Sequence, residues 1–286
     1  MLTKFFYYKK QNFFCEKIKV SDICKKIDTP FYLYSHNSIV NNYNKLANYF
    51  KGMDIVIAYS MKANSNLSVL KTLAKCGSGA DIVSMGELKK ALKAGIPKNK
   101  IVYSGVGKSQ KEIEYALENR IEQFNVESLE ELKTIGLLSN KKNIKANIAL
   151  RVNPDVVAGG HPKISTGKKT DKFGIPLDDA IQVYNIAKKF KNINVVGIDI
   201  HIGSQILNVQ PFKAAFKKVI NFCYELEKIG YNIKNIDLGG GIGVNYDDKP
   251  ENTLLLSKYI ELVKFVFKRT KKRIFLEPGR FLLANS

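Results

Sequence analysis

From residue 50 onward the chain alternates between two hydrophobic rhythms. Short runs nearly continuous in Val, Ile, Leu and Phe recur at DIVIAYS (54–60), GADIV (79–83), KIVYSG (100–105), EQFNV (122–126), ANIALRV (146–152), VVGIDIHI (195–202), NIDLGG (235–240) and RIFLE (273–277). A strand buried on both faces reads this way, because it has no solvent side toward which to alternate. The stretches between carry helix signals. Ser84–Glu87 and Ser109–Glu112 have the spacing at which a hydroxyl and a carboxylate each accept from a free backbone N–H at a helix start. Pro211 suits a first helical turn. Beyond it Phe212, Phe216, Val219, Ile220, Cys223 and Leu226 share one helical face, with lysines opposite. A further amphipathic stretch at about 37–50 precedes the first run. Eight strand–helix alternations predict an α/β fold, a (β/α)8 TIM-type barrel over residues 35–280; a doubly wound open sheet is the alternative.

Two segments stand outside the repeat. Residues 1–34 read as short strands with a turn of helix, ending in the strand-like PFYLY (30–34), and imply part of another domain. The connection 153–175 is long, Gly-rich and polar, the kind of loop that is functional or disordered.

Composition narrows the classes. With 45% hydrophobic and 25% charged residues among 286, wholesale disorder is excluded. No apolar run approaches the ~18–20 residues of a membrane span. Lys4, Lys9 and Lys10 interrupt the only N-terminal stretch that could resemble a signal peptide, so a cytoplasmic location is expected. The net charge of +20 invites a polyanion partner. Yet only five of the 46 basic residues are Arg (120, 151, 269, 273 and 280), the residue suited to bidentate phosphate and base recognition, and the lysines are dispersed. Neither a nucleic-acid nor a membrane partner is expected. Cys15, Cys24, Cys76 and Cys223 form no CxxC and have no histidine at metal-ligand spacing, so no metal site is expected either.

In a barrel of this kind the active site lies at the C-terminal strand ends, and unusual polar residues gather there. Lys62 follows the first run; at a strand end, partial desolvation would lower its amine pKa and favour Schiff-base chemistry, whereas the plain reading is a surface lysine. Asp81 ends the second run and Arg151 the fifth. His201 lies in apolar IDIHIGS, either a satisfied core imidazole or a face for a planar ring; Ser204 follows as a hydroxyl donor. Gly239–Gly241 after the seventh run is either a tight turn or a site where backbone N–H groups meet a single phosphate. Glu277 could hold a pyridine nitrogen protonated, and Arg280 could clamp a carboxylate, unless the two form a local ion pair.

These strings together resemble the fold-type III pyridoxal-phosphate decarboxylases, most closely the diaminopimelate decarboxylases. The matching motifs are AYSMKANSN (58–66), GADIVSMGEL (79–88), ALRVNPD (149–155), GHPKISTG (160–167), DKFGI (171–175), HIGSQI (201–206), DLGGGIGVNY (237–246) and EPGR (277–280). The resemblance implies an alanine racemase-like barrel that binds pyridoxal 5'-phosphate. It makes Lys62 and His201 catalytic, Lys62 as the covalent cofactor lysine and His201 stacked on the ring. It sets Ser204, Gly240, Gly241 and the backbone of Glu277, Pro278, Gly279 and Arg280 around the phosphate. Glu277 would meet the ring nitrogen, Arg280 would also bind a substrate carboxylate, and Asp81 and Arg151 would orient cofactor and lysine. The implied reaction is decarboxylation of meso-diaminopimelate to L-lysine and carbon dioxide, the last step of lysine biosynthesis. A decarboxylase of ornithine or arginine and a non-catalytic cofactor-binding protein are the alternatives. The family forms homodimers and continues well past EPGR into a β-domain that carries a Cys-Glu motif. Residues 1–34 and 281–286 are therefore expected to be parts of that domain, the chain being C-terminally truncated relative to the family.

Overall fold

A computed structural model describes residues 3–157, 173–246 and 251–286. The predicted eight runs are eight parallel strands: β4 (Ile55–Ser60), β5 (Gly79–Ile82), β6 (Ile101–Tyr103), β7 (Gln123–Val126), β8 (Ala146–Asn153), β10 (Ile193–Asp199), β11 (Asn235–Asp237) and β12 (Arg273–Leu276). They pair in chain order, and β12 pairs with β4, so the sheet closes into a barrel rather than an open sheet. A two-residue strand, β9 (Ile175–Pro176), adds to the outer end of β8. Of the long 153–175 connection, 158–172 lie outside the described residues, and with them the 160–167 motif.

The helices α2 (His36–Ala47), α3 (Leu67–Lys75), α4 (Met85–Lys93), α5 (Gln110–Asn119), α6 (Leu129–Lys142), α7 (Leu177–Ala187), α8 (Val209–Lys228) and α9 (Glu251–Thr270) accompany the barrel; a short α10 (Arg280–Leu283) follows β12. The predicted face of α8 is fully buried, from Phe212 to Leu226. Both halves of the capping box form at Ser109–Glu112. At Ser84 only one half forms: the serine accepts from the Glu87 N–H at 3.2 Å, while the Glu87 carboxylate reaches back one residue further, to the Val83 N–H at 2.8 Å.

The strands are less uniformly apolar than their sequences read. Ile57 and Tyr59, Ala80 and Ile82, Phe124 and Val126, Ile148 and Leu150, Ile198, Ile236 and Ile274 belong to one continuous core with the helices. Side chains alternate along a strand, so the intervening positions face the barrel interior. Toward the N-terminal end these are Val56, Ala58, Val102 and Phe275, a small separate apolar cluster. Toward the C-terminal end they are Ser60, Asp81, Ser104, Asn125, Arg151, Asp199, Asp237 and Glu277, all buried. The barrel thus concentrates its inward polar positions toward the C-terminal end, with Gln123 and Asn235 one layer further in.

Gly136 in α6 packs directly against the Phe190 ring. A Cβ there would overlap the Phe190 ring. Gly136→Ala gains about 1 kcal/mol of helix propensity but forces overpacking that costs about 1–3 kcal/mol. We expect net destabilisation, read as a lower urea midpoint with unchanged slope.

Residues 6–19 form an antiparallel meander of β1 (Phe6–Lys9), β2 (Asn12–Cys15) and β3 (Ile18–Lys19), followed by α1 (Val20–Cys24). Stacked Tyr7 and Phe14, 5.6 Å apart, brace it. Glu16 ties it to the start of α2, accepting from Ser35 Oγ and from the Asn37 backbone and side-chain amides, each at 2.7 Å. The expected strand at 30–34 does not form. Pro30 has no N–H to donate, and 31–34 carry no regular structure and pair with no strand among the described residues, with Tyr32 92% exposed.

Candidate active site

The polar ends of the strands open into a cavity of about 590 Å³. Lys62, His201, Ser204, Gly241, Glu277, Gly279 and Arg280 line it, as the sequence predicted, joined by Tyr32, Tyr34 and Tyr246, which the sequence did not single out. The three tyrosines come from the extended N-terminal segment and from the loop after β11. Tyr246 closes the DLGGGIGVNY motif, so its position in that string was the available signal. Tyr32 and Tyr34 gave none, because their segment was assigned to another domain.

Lys62 stands on the single turn that follows β4 (Met61–Ala63). Its Nζ lies 3.4 Å from Asp81 Oδ2, which also accepts from Ser60 Oγ at 2.6 Å. The expected depression of its pKa is not found. The Asp81 charge raises it, outweighing the opposing desolvation, and the Glu277 charge raises it further. The strand-end position supplies desolvation as expected, but the carboxylate on the neighbouring strand reverses the sign. Asp81→Asn should therefore lower the Lys62 pKa, by removing the largest cause of its rise. The pH profile of covalent pyridoxal phosphate capture would then move to lower pH; an unmoved profile would exclude Asp81 as the cause.

His201 is nearly enclosed, and its Nδ1 accepts the Gly240 N–H at 3.2 Å. Burial, then the charges of Lys62 and Arg151, push its pKa well below the usual histidine range. The 3.9 Å approach of Nδ1 to Glu277 Oε2 is therefore not an ion pair but a neutral ring beside a carboxyl. Arg151 pairs with Glu127 at 3.0 Å, and its guanidinium lies 5.3 Å from the Phe173 ring centre.

Glu277 sits at the end of β12 with two more buried acids, Asp199 and Asp237; one oxygen from each lies within 4.8 Å of the others. Burial and mutual repulsion raise all three well above the usual carboxylate range. Arg280 does not pair with Glu277 among the described residues; its Nη1 donates to the Tyr246 hydroxyl at 2.8 Å. Four of the predicted positions, Asp81, Arg151, Gly240 and Pro278, do not line the cavity. The Gly240 N–H is taken by His201, and the Pro278 carbonyl accepts from Ser60 N at 3.4 Å, holding the turn after β12 against β4.

This geometry matches a known family. Residues 36–284 match the pyridoxal binding domain of the pyridoxal-dependent decarboxylases, and the chain belongs to that family. Among its relatives is the diaminopimelate decarboxylase of Aquifex aeolicus, 41% identical over 280 residues, covering 98% of this chain and 66% of that protein. The crystal structure of diaminopimelate decarboxylase from Helicobacter pylori complexed with L-lysine superposes with a TM-score of 0.88 at 42% identity, covering 92% of this chain and 66% of that one. The crystal structure of diaminopimelate decarboxylase from "m. jannaschi" superposes with a TM-score of 0.90 at 37% identity, covering 98% of this chain and 68% of that one. The chain spans about two thirds of the length of the relatives it matches.

The cavity suits the family's cofactor, pyridoxal phosphate. A side chain at Gly240 would overlap the Glu277 carbonyl, and Gly241 holds φ +98° with no room for a Cβ beside the Gly203 carbonyl. Only glycine lets these backbone segments pack this closely at the cavity's edge. Asp81 Oδ1 and Arg151 Nε are buried without a hydrogen-bond partner, and unsatisfied polar atoms of this kind ask for one. A cavity with an amine, an acid and a guanidinium at its wall fits an aromatic aldehyde bearing a ring nitrogen and a phosphate.

Proposed function

We propose that the chain forms the cofactor-binding barrel of a decarboxylase that converts meso-diaminopimelate to L-lysine and carbon dioxide. The observation that carries this reading is the convergence of Lys62, His201, Glu277 and Arg280 on one cavity at the C-terminal end of the barrel, in a chain about 41% identical to a diaminopimelate decarboxylase.

Pyridoxal phosphate, when bound, supplies the electron sink that makes loss of carbon dioxide from an amino acid feasible. Lys62 would hold the cofactor covalently. It starts as an ammonium held by Asp81, so it must give up a proton before its nitrogen can attack. Glu277 would meet the ring nitrogen. His201, held neutral by burial, would offer a flat face to the ring without adding charge. Ser204, Gly241 and the 277–280 backbone would surround the phosphate, with Gly240 shaping the turn behind them. Asp81 and Arg151 orient cofactor and lysine. Arg280, steadied by Tyr246, takes a substrate carboxylate.

Residues 1–34 and 281–286 belong, in this reading, to a second β-domain around the barrel 35–280, and the working enzyme is a cytoplasmic homodimer. No helix among the described residues is long and apolar enough to cross a membrane. Carbon dioxide release from meso-diaminopimelate, set against ornithine and arginine, tests the reaction. Release from meso-diaminopimelate alone is the expected result. Cofactor uptake without release from any of the three would leave a non-catalytic cofactor-binding protein.

A further inference from the structure

A line of buried amides crosses the barrel interior beneath the cavity, and the proposed reaction gives it no task. Asn235 Nδ2 donates to Gln123 Oε1 at 2.8 Å and to Glu122 Oε1 at 3.1 Å. Gln123 Nε2 donates to Asn125 Oδ1 at 2.8 Å. Asn125 Nδ2 then faces three acceptors: Ser104 Oγ at 3.1 Å, Asp237 Oδ2 at 3.2 Å and Glu277 Oε1 at 3.4 Å. Gln123 and Asn125 each turn the amide oxygen toward the preceding donor. Asn125 is thereby held in the one orientation that presents N–H groups, not a carbonyl, to the acids. Ser104 adds a second donor to Glu277 Oε1 at 3.3 Å.

We infer that Asn125, aligned by Gln123 and Asn235, is a positioning residue for Glu277, fixing one carboxyl oxygen to the barrel wall and favouring its ionised form while the other oxygen stays toward the cavity. The inference rests on the reading of Glu277 as the partner of the cofactor's ring nitrogen.

The physical need for such a device comes from crowding. Asp199, Asp237 and Glu277 are buried with oxygens within 4.8 Å of one another, and three carboxylates that close cannot all be ionised. Something must decide which of them holds the proton. Asp237 receives the Gly239 N–H at 3.0 Å and that of Asn125, and Glu277 receives Asn125 and Ser104. Asp199 Oδ1 is buried with no donor. Hydrogen bonds to the charged form favour it, so the donors assign the proton to Asp199 and leave Glu277 able to face a cation. The other groups around Glu277 are Lys62 and Arg151, which favour its charge, Asp81, which opposes it, the neutral His201, and the Tyr259 hydroxyl on α9.

The test reads Glu277 directly in cofactor-free protein labelled with carbon-13 at the glutamate side-chain carboxyl, its resonance assigned by loss in Glu277→Gln. Asn125→Leu keeps the shape and removes both N–H donors. At fixed pH the Glu277 resonance should move toward the protonated position, with the titration midpoint rising by about one pH unit or more. Gln123→Met never touches the cavity but unlocks Asn125; it should move the resonance the same way by less, and it decides the matter should Asn125→Leu fail to fold. A Glu277 resonance unmoved in the folded variants, whatever their loss of melting temperature, would overturn the inference. Because no cofactor is present, this result is independent of whether the chain captures pyridoxal phosphate, on which the proposed function stands or falls.

Discussion

Lys62→Ala should abolish covalent capture of pyridoxal phosphate and reduce decarboxylation by on the order of 10⁴-fold or more, the loss typical of removing a covalent catalyst. That is about 5 kcal/mol of transition-state stabilisation. The size follows from what no neighbour can replace. Within the cavity wall Lys62 is the lysine, and Arg280, the other cation there, is engaged by Tyr246 and is always protonated. Folding should be little affected, because the Lys62 side chain is half-exposed and its one ion pair, to Asp81, is long. Removing it does leave Asp81 short of a counter-charge, with Ser60 still donating at 2.6 Å. The check is twofold: the absorbance of the reconstituted protein, and its melting temperature. Loss of the cofactor band with melting retained is the expected pattern; retention of the band would place the attachment elsewhere.

Glu277→Gln should cost on the order of 10²–10³-fold in kcat, comparable to removing one preorganised electrostatic partner, with a much smaller change in KM. The amide keeps the shape and can still accept from Ser104 and Asn125. It cannot hold a positive charge on the ring nitrogen, so the effect falls on the step that needs the electron sink. The substitution also removes one of three mutually repelling acids, and the Asp237 charge is the largest of the neighbouring charges raising Glu277. Asp237 should consequently titrate at lower pH in the variant. A fall in KM-linked binding with kcat unchanged would contradict the assigned role.

The fold was legible because its strands are apolar enough to stand out and its helices are amphipathic. The (β/α)8 order, the buried face of α8 and the capping at Ser109 follow from local pattern alone. The inward polar positions were partly legible. Asp81, Arg151 and Glu277 are charges at the ends of apolar runs, and a charge there needs a reason. Asn125, Asp199 and Asp237 were not singled out, since only the closed barrel brings β7, β10, β11 and β12 together, across 112 residues for Asn125 and Asp237. The same limit explains the error at Lys62. Its strand-end position argues for desolvation, but the sign of its shift is set by Asp81, nineteen residues away and one strand over. PFYLY misled for the opposite reason: its composition is that of a strand, and what it lacks is a neighbour.

The site assignment meets its most direct test in borohydride reduction of the protein with bound pyridoxal phosphate, followed by peptide mass mapping. The chain carries 46 lysines and arginines, all but five of them lysine, so adventitious modification would scatter over the surface. The account predicts one reduced pyridoxyl group, on the peptide containing Lys62, and its absence in Lys62→Ala. Label on a different lysine, or spread across many with none preferred, would contradict it.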